Sequence, residues 1–188
     1  MKNKTKQKRI YLIGFMTSGK TTLGKILANV LGWDFYDLDK VIEEERQMSI
    51  HEIFSSEGEE TFRKFEVKKL SELSEKEYVV ISLGGGTPTN DFIIDFINRK
   101  GFVIYLTVKP ENLYKRLKNK IDRPLFRDLV LSENVTEEEF TKKISALLSA
   151  REKYYKQADM EISSDATRIG KTVDFIARKL HGVIDEKD

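Results

Sequence analysis

The stretch Gly14-Phe-Met-Thr-Ser-Gly-Lys20-Thr21 has residue types and spacing suited to holding a phosphate chain. It fits G-x-x-x-x-G-K-[ST], the P-loop pattern, in which glycines let successive backbone N–H groups curl around an anion. A helix starting there adds the positive end of its dipole. Lys20 can then reach the β- and γ-phosphates of a nucleotide, and the Thr21 hydroxyl can ligate Mg²⁺. Thr17, Ser18, Gly19 and Thr22 complete the cradle. The flanks agree with this chemistry. Ile10-Tyr-Leu-Ile13 suits a buried strand, and Thr22 to Leu31 has the spacing of an amphipathic helix.

Three further groups of residues stand where chemistry is expected. Trp33-Asp-Phe-Tyr-Asp37-Leu-Asp39 carries two carboxylates at period-two spacing, so both can face one cleft. One can hold Mg²⁺ through water and the other can accept a hydrogen bond from an acceptor hydroxyl, whereas the simpler alternative is that both cap a helix beginning near Lys40. Ser82-Leu-Gly84-Gly85-Gly86-Thr87-Pro88 places three glycines after an apolar run. They contribute nothing to a core and permit close approach of backbone to a small ligand, or they form a flexible turn. Arg63, Arg123 and Arg151 offer planar guanidinium forks for carboxylate or phosphate, although any single arginine is more often a solvated surface residue. His51 and His181 are far apart and lack metal-ligand spacing, so both are expected on helix surfaces.

The elements that must position these residues alternate. Strands are expected at 9–14, 34–38, 78–83, 102–107 and 159–163. Helices are expected at about 20–31, 39–47, 49–56, 58–75, 89–99, 110–119, 136–156 and 168–180. Ser49 with Glu52 suits a capping box, acidic residues follow Thr136, and Pro110 suits a first helical turn. Tyr78-Val-Val-Ile81 and Phe102-Val-Ile-Tyr-Leu106 are continuous apolar runs, as in strands covered on both faces. A parallel sheet wrapped by helices follows, with ligands beyond the carboxyl ends of its strands.

The 188 residues suit one domain with a substantial core. Charged residues make up 34% and the net charge is +2, so no global field points to nucleic acid. Lys2, Lys4, Lys6, Lys8 and Arg9 concentrate positive charge at the start; residues 1–8 are expected as a solvated, frayed terminus rather than a nucleic-acid arm. The following apolar stretch is too short for a signal peptide and runs into the P-loop, and no segment approaches a membrane span. With no cysteine there is no disulfide or thiolate chemistry, which is compatible with the reducing cytoplasm expected here.

Taken in order, Gly14–Thr21, Asp37-x-Asp39, Gly58-Glu59 leading to Phe62-Arg63, Gly84–Gly86, Arg123-Pro-Leu, and Arg151 followed by Tyr155 resemble the shikimate kinases over nearly the whole chain, from Ile10 to about Leu180. The resemblance implies a three-layer α/β/α P-loop fold, with a five-stranded parallel sheet in order 2-3-1-4-5. It also implies a mobile lid near 119–135 and a helical substrate-binding segment at 40–75. The implied reaction moves the γ-phosphoryl of ATP to the 3-hydroxyl of shikimate, in chorismate and aromatic amino-acid synthesis. By position, Lys20 and the P-loop amides hold phosphates, Thr21 and Asp37 hold Mg²⁺, and Asp39 orients the shikimate hydroxyls and assists proton removal. Arg63 and Arg151 bind the shikimate carboxylate, and Gly85, between Gly84 and Gly86, supplies a backbone contact. Arg123 swings over the transferring phosphoryl, and Arg116 packs on adenine. A monomer acting on ATP and shikimate is implied, with no nucleic-acid or membrane partner.

The chain departs from the family pattern in three places. Thr17 stands where glycine is usual, and it is strained if that position needs positive φ but adds a hydroxyl contact if it does not. The segment between Arg123 and Arg151 is longer, and Glu152-Lys153 replaces an apolar-Pro step. Two other functions compete: another P-loop small-molecule kinase, such as a gluconate kinase, and a catalytically silent relative that binds nucleotide or a partner. Lys20, Asp39 and Arg63 are all present, which argues against silence.

Overall fold

The computed structural model describes residues 6–120, 124–132, 135–165 and 169–185. Five parallel strands form one sheet in the order β2-β3-β1-β4-β5. They are β1 (Arg9–Ile13), β2 (Asp34–Asp37), β3 (Val79–Ser82), β4 (Phe102–Thr107) and β5 (Met160–Ser163). The helices are α1 (Lys20–Leu31), α2 (Leu38–Arg46), α3 (Ile50–Leu73), α4 (Asp91–Lys100), α5 (Pro110–Leu117), α6 (Pro124–Leu131), α7 (Glu137–Tyr155) and α8 (Ile169–Leu180).

Strand alternation divides the core into two layers. Ile10 and Leu12 of β1 face α1 and α8, meeting Leu23, Leu27, Val173 and Ile176. Tyr11 and Ile13 face the other way, toward Ile42, Phe62, Leu70, Ile94 and Tyr155 of α2, α3, α4 and α7. Because both faces are covered, β1 and β3 carry no polar alternation, as their apolar sequences require. A third cluster lies beyond the sheet, where Phe15 of the P-loop meets Leu113, Leu117, Phe126, Phe140 and Ile144.

Local signals fix the boundaries. Ser49 and Thr136 each form a complete capping box, with Glu52 and Glu139. The two helices expected at 49–56 and 58–75 run on as α3, interrupted at Gly58, whose φ of 84° and ψ of 164° break the helical path. Trp33 is buried in the core, edge-on to Tyr78.

Two expectations need correction. No helix is expected between 119 and 136, yet α6 forms there. Pro124 opens it, and its buried Phe126 stacks on Phe140 of α7 at 5.1 Å and meets Phe15 edge-on at 6.3 Å. Tertiary burial of one aromatic ring, worth about 1.5–3 kcal/mol, is what favours a helix this short. The basic terminus does not fray as far as residue 8. Gln7 pairs with Ile184 in a parallel bridge, and Lys8 forms an ion pair with Glu77. Residues 1–5 lie outside the described residues.

Candidate active site

All five strands point their carboxyl ends at one rim, and the first three deliver the chemistry there. β1 runs into the P-loop. Gly14 and Gly19 take φ of 141° and 97°, values open to glycine and strained for other residues. A Cβ at Gly14 would stand 2.5 Å from the Leu106 carbonyl oxygen, so space as well as torsion requires glycine. Thr17 is the exception. It adopts φ 58°, a left-handed conformation that a β-branched residue tolerates poorly, and its buried hydroxyl has no hydrogen-bond partner among the described residues. The sequence left open whether this position needs positive φ; it does.

Lys20 is buried, and its ammonium donates to the carbonyls of Gly14 and Phe15, each at 2.9 Å. The lysine therefore also shapes the loop that presents it. Thr21, one residue on, donates its hydroxyl to Asp37 at 2.6 Å. Arg116 reaches over the loop from α5, donating to the carbonyls of Thr17 and Ser164 at 3.1 Å each. It lines a cavity of about 260 Å³ with Ser18, Gly19, Thr22 and Ile169.

β2 ends at Asp37, which caps α2 by accepting the Lys40 amide while holding Thr21. Capping and function are thus not alternatives for this residue. Asp39 is not a strand residue. It lies in the first turn of α2, so the turn from strand to helix, rather than strand alternation, brings both carboxylates to the same cleft.

β3 leads into the glycine triplet, where close approach has specific causes. A Cβ on Gly84 would meet the Asp39 carboxylate at 2.7 Å, one on Gly85 the Met16 amide at 2.9 Å, and one on Gly86 the Arg63 guanidinium at 2.9 Å. The glycines let a carboxylate, the P-loop and an arginine converge on one turn.

Arg63 and Arg151 are both held in place. Arg63 donates from Nη1 to Glu66 at 2.8 Å, and from Nε and Nη2 to Glu59 at 3.3 and 3.1 Å. Burial opposes its charge, but Glu66 and Glu59 outweigh that and its pKa is raised. Glu66 is only 3% exposed, and its other oxygen accepts the Thr87 hydroxyl at 2.6 Å. A guanidinium has more N–H groups than these carboxylates occupy, so Arg63 retains donors for a ligand. Arg151 of α7 donates to the Gly85 carbonyl at 2.8 Å and lies over the Phe15 ring at 5.6 Å.

Lys20, Thr21, Asp37, Asp39, Gly84 and Gly85 line one cleft of about 790 Å³, and Arg63 and Arg151 abut its glycine wall. His51 is exposed on α3, as expected, at the edge of that cleft. Arg123 lies outside the described residues. Sequence reasoning missed Glu66, Thr87 and Phe15. Glu66, three residues after Arg63 on a helix, was the one discoverable signal.

For a metal, the donors are a hydroxyl and a carboxylate, the hard oxygen ligands that suit Mg²⁺. Among the described residues no cluster of three or more His, Cys, Asp or Glu is gathered for an ion. Among the described residues no helix is long and apolar enough to cross a membrane.

A parallel sheet in this order, with a P-loop after its central strand and an aspartate bonded to the P-loop threonine, defines a P-loop phosphotransferase. The sequence model described as shikimate kinase matches residues 16–180. The chain belongs to the shikimate kinase family. It is 43% identical over 171 residues to the shikimate kinase of Chlorobium limicola, covering 91% of this chain and 85% of that one. Identity to the shikimate kinase of Chlorobaculum parvum is 41%, covering 91% of each. The crystal structure of shikimate kinase from Bacteroides thetaiotaomicron superposes with TM-score 0.81 at 35% identity, covering 92% of this chain and 98% of that one. Shikimate kinase from Acinetobacter baumannii, solved in complex with shikimate, gives 0.83 at 32% identity and covers 94% of both. The chain is accordingly an ATP-dependent kinase that phosphorylates shikimate, at a step of aromatic amino-acid synthesis.

Proposed function

We propose that the 790 Å³ cleft carries out this transfer with its phosphate side at the P-loop and its acceptor side at the glycine triplet. The observation that carries the assignment is the meeting of Asp39 with Gly84 beside Lys20 in that single cleft. ATP lies along the P-loop amides, with Lys20 on its β- and γ-phosphates and its base in the cavity beneath Arg116. Shikimate lies against the triplet, its carboxylate between Arg63 and Arg151 and its hydroxyls toward Asp39.

Asp39 orients the 3-hydroxyl and accepts its proton as the oxygen attacks the γ-phosphorus. The new O–P bond forms as the bond to the β-phosphate oxygen breaks, releasing ADP. Lys20 opposes the charge spread over the transferring group. Thr21 and Asp37 would hold Mg²⁺, which when bound supplies further charge neutralisation. Residues 40–75 serve as the acceptor-binding segment. Arg123 and the stretch 119–135 serve as a lid that excludes water, a competing acceptor. The protein acts as a cytoplasmic monomer, a single domain of residues 1–188.

The test is ADP release from Mg-ATP in a coupled spectrophotometric assay, with shikimate and then with gluconate or quinate. Release that requires shikimate supports the assignment. Release indifferent to shikimate leaves only a nucleotide site and removes the acceptor side from the account.

A further inference from the structure

One buried hydroxyl at this site has no part in the transfer as described so far. Tyr155, the last residue of α7, is fully buried, and its ring lies 4.9 Å from that of Tyr105 on β4. Its hydroxyl nevertheless leaves the core and donates to the Gly85 carbonyl at 2.6 Å. The same oxygen accepts Nη1 of Arg151, four residues earlier on the same helix, at 2.8 Å. A carbonyl oxygen has two lone pairs, and α7 fills both.

We propose that Tyr155 is a positioning residue for the acceptor, whose hydroxyl, together with Arg151, locks the Gly85–Gly86 peptide in the orientation that receives shikimate. This rests on the acceptor side being the glycine triplet. The physical need comes from the glycines. Gly84, Gly85 and Gly86 have no side chains to hold their peptide planes, and glycine torsions are the least restricted of any residue. A trans peptide points its N–H opposite to its C=O, so fixing the Gly85 carbonyl toward α7 turns the Gly86 N–H away from α7. Arg151 is tied to the same carbonyl by a hydrogen bond of its own. The carbonyl held by the Tyr155 hydroxyl is thus the shared point that relates the Gly86 N–H to the Arg151 guanidinium. Burial pushes the Tyr155 phenol up to about 12, outweighing the opposing effect of Arg151, so the group stays a donor at working pH.

Tyr155→Phe keeps the ring and the packing and removes only the hydroxyl. Tyr105→Phe is the companion variant, since it removes a hydroxyl from the neighbouring ring, one that makes no hydrogen bond to the turn among the described residues. Expected for Tyr155→Phe is a shikimate KM raised about five- to tenfold, with the ATP KM unchanged and the melting temperature little altered. Tyr105→Phe should leave both KM values as they were. An unchanged shikimate KM in Tyr155→Phe overturns the proposal, as does an equal rise for ATP, or a Tyr105→Phe that reproduces the effect. Arg151→Ala separates this from the underlying assignment. If it raises the shikimate KM while Tyr155→Phe does not, only the positioning role fails. If it does not, the acceptor assignment fails and the positioning role goes with it.

Discussion

The proposed phosphate-binding loop is one unbroken stretch, Gly14 to Thr21, whereas the proposed acceptor side is gathered from α2, α3, the turn after β3, and α7. The first is built mainly from backbone: amides at a helix start, glycines at positive φ, and a lysine bonded to two loop carbonyls. The second is built from side chains, and each arginine is already engaged, Arg63 by Glu59 and Glu66 and Arg151 by the Gly85 carbonyl. A backbone cradle recognises any polyphosphate, since every residue supplies the same N–H. Selectivity for one acceptor needs forks held at fixed separation, which is what the carboxylates and the glycine turn provide. The two sides touch directly, because Gly85 packs on the Met16 amide and Arg151 lies over Phe15.

The contrast breaks most visibly at Lys20. Lys20→Met should reduce kcat/KM by about a thousandfold or more, from the loss of charge opposite the transferring phosphoryl. The Gly14 and Phe15 carbonyls also lose the lysine as a donor, Phe15 keeping the Ser18 amide, so a lower melting temperature should accompany it. Near-normal turnover in a coupled assay would remove the P-loop from the reaction. Asp39→Asn comes next. It keeps the shape against Gly84 and deletes the charge, so kcat should fall by about 10²- to 10⁴-fold with both KM values nearly constant. A variant with normal kcat reduces Asp39 to a first-turn acid that favours the helix dipole.

Arg63→Ala acts on the other side and should show as binding. Shikimate KM should rise by about ten- to a hundredfold, the range for charged hydrogen bonds, while the ATP KM holds. Stability should fall as well, because buried Glu66 loses its cation and among the described residues keeps the Thr87 hydroxyl. Arg63→Lys keeps the charge but not the fork, so recovery of stability without recovery of KM would show that geometry, not charge alone, selects the acceptor.

The same contrast explains what the sequence disclosed. The P-loop was legible because its residues are contiguous and its chemistry fixes their spacing. The strand order came with the family resemblance, and the strands fall where the continuous apolar runs lie. Asp37 and Asp39 were found together but for the wrong reason, since the boundary between β2 and α2 falls between them. The Glu66–Thr87 bond joins residues on different elements, and no pattern along the chain announces a contact made by folding. Helix α6 was missed because its stability comes from Phe126 stacking on Phe140, not from its own propensity.

The smallest expected effect concerns the one residue at which the backbone-built side breaks its own rule. Thr17 is held at φ 58° with its hydroxyl buried and unpartnered among the described residues. A left-handed non-glycine residue costs about 1–2 kcal/mol, and a buried unsatisfied hydroxyl adds to that. Glycine removes both costs but enlarges the unfolded ensemble by about 0.5–1 kcal/mol. Thr17→Gly should therefore gain roughly 1 kcal/mol, seen as a melting temperature higher by about 2–4 °C. Thr17→Ala removes the hydroxyl and keeps the torsion, so it should recover only part of that gain. If Thr17→Gly melts lower than the parent, the threonine makes a stabilising contact that outweighs its strain. If it melts higher but raises the ATP KM, the strain sits at a residue that grips the nucleotide, and the phosphate side depends on a side chain after all.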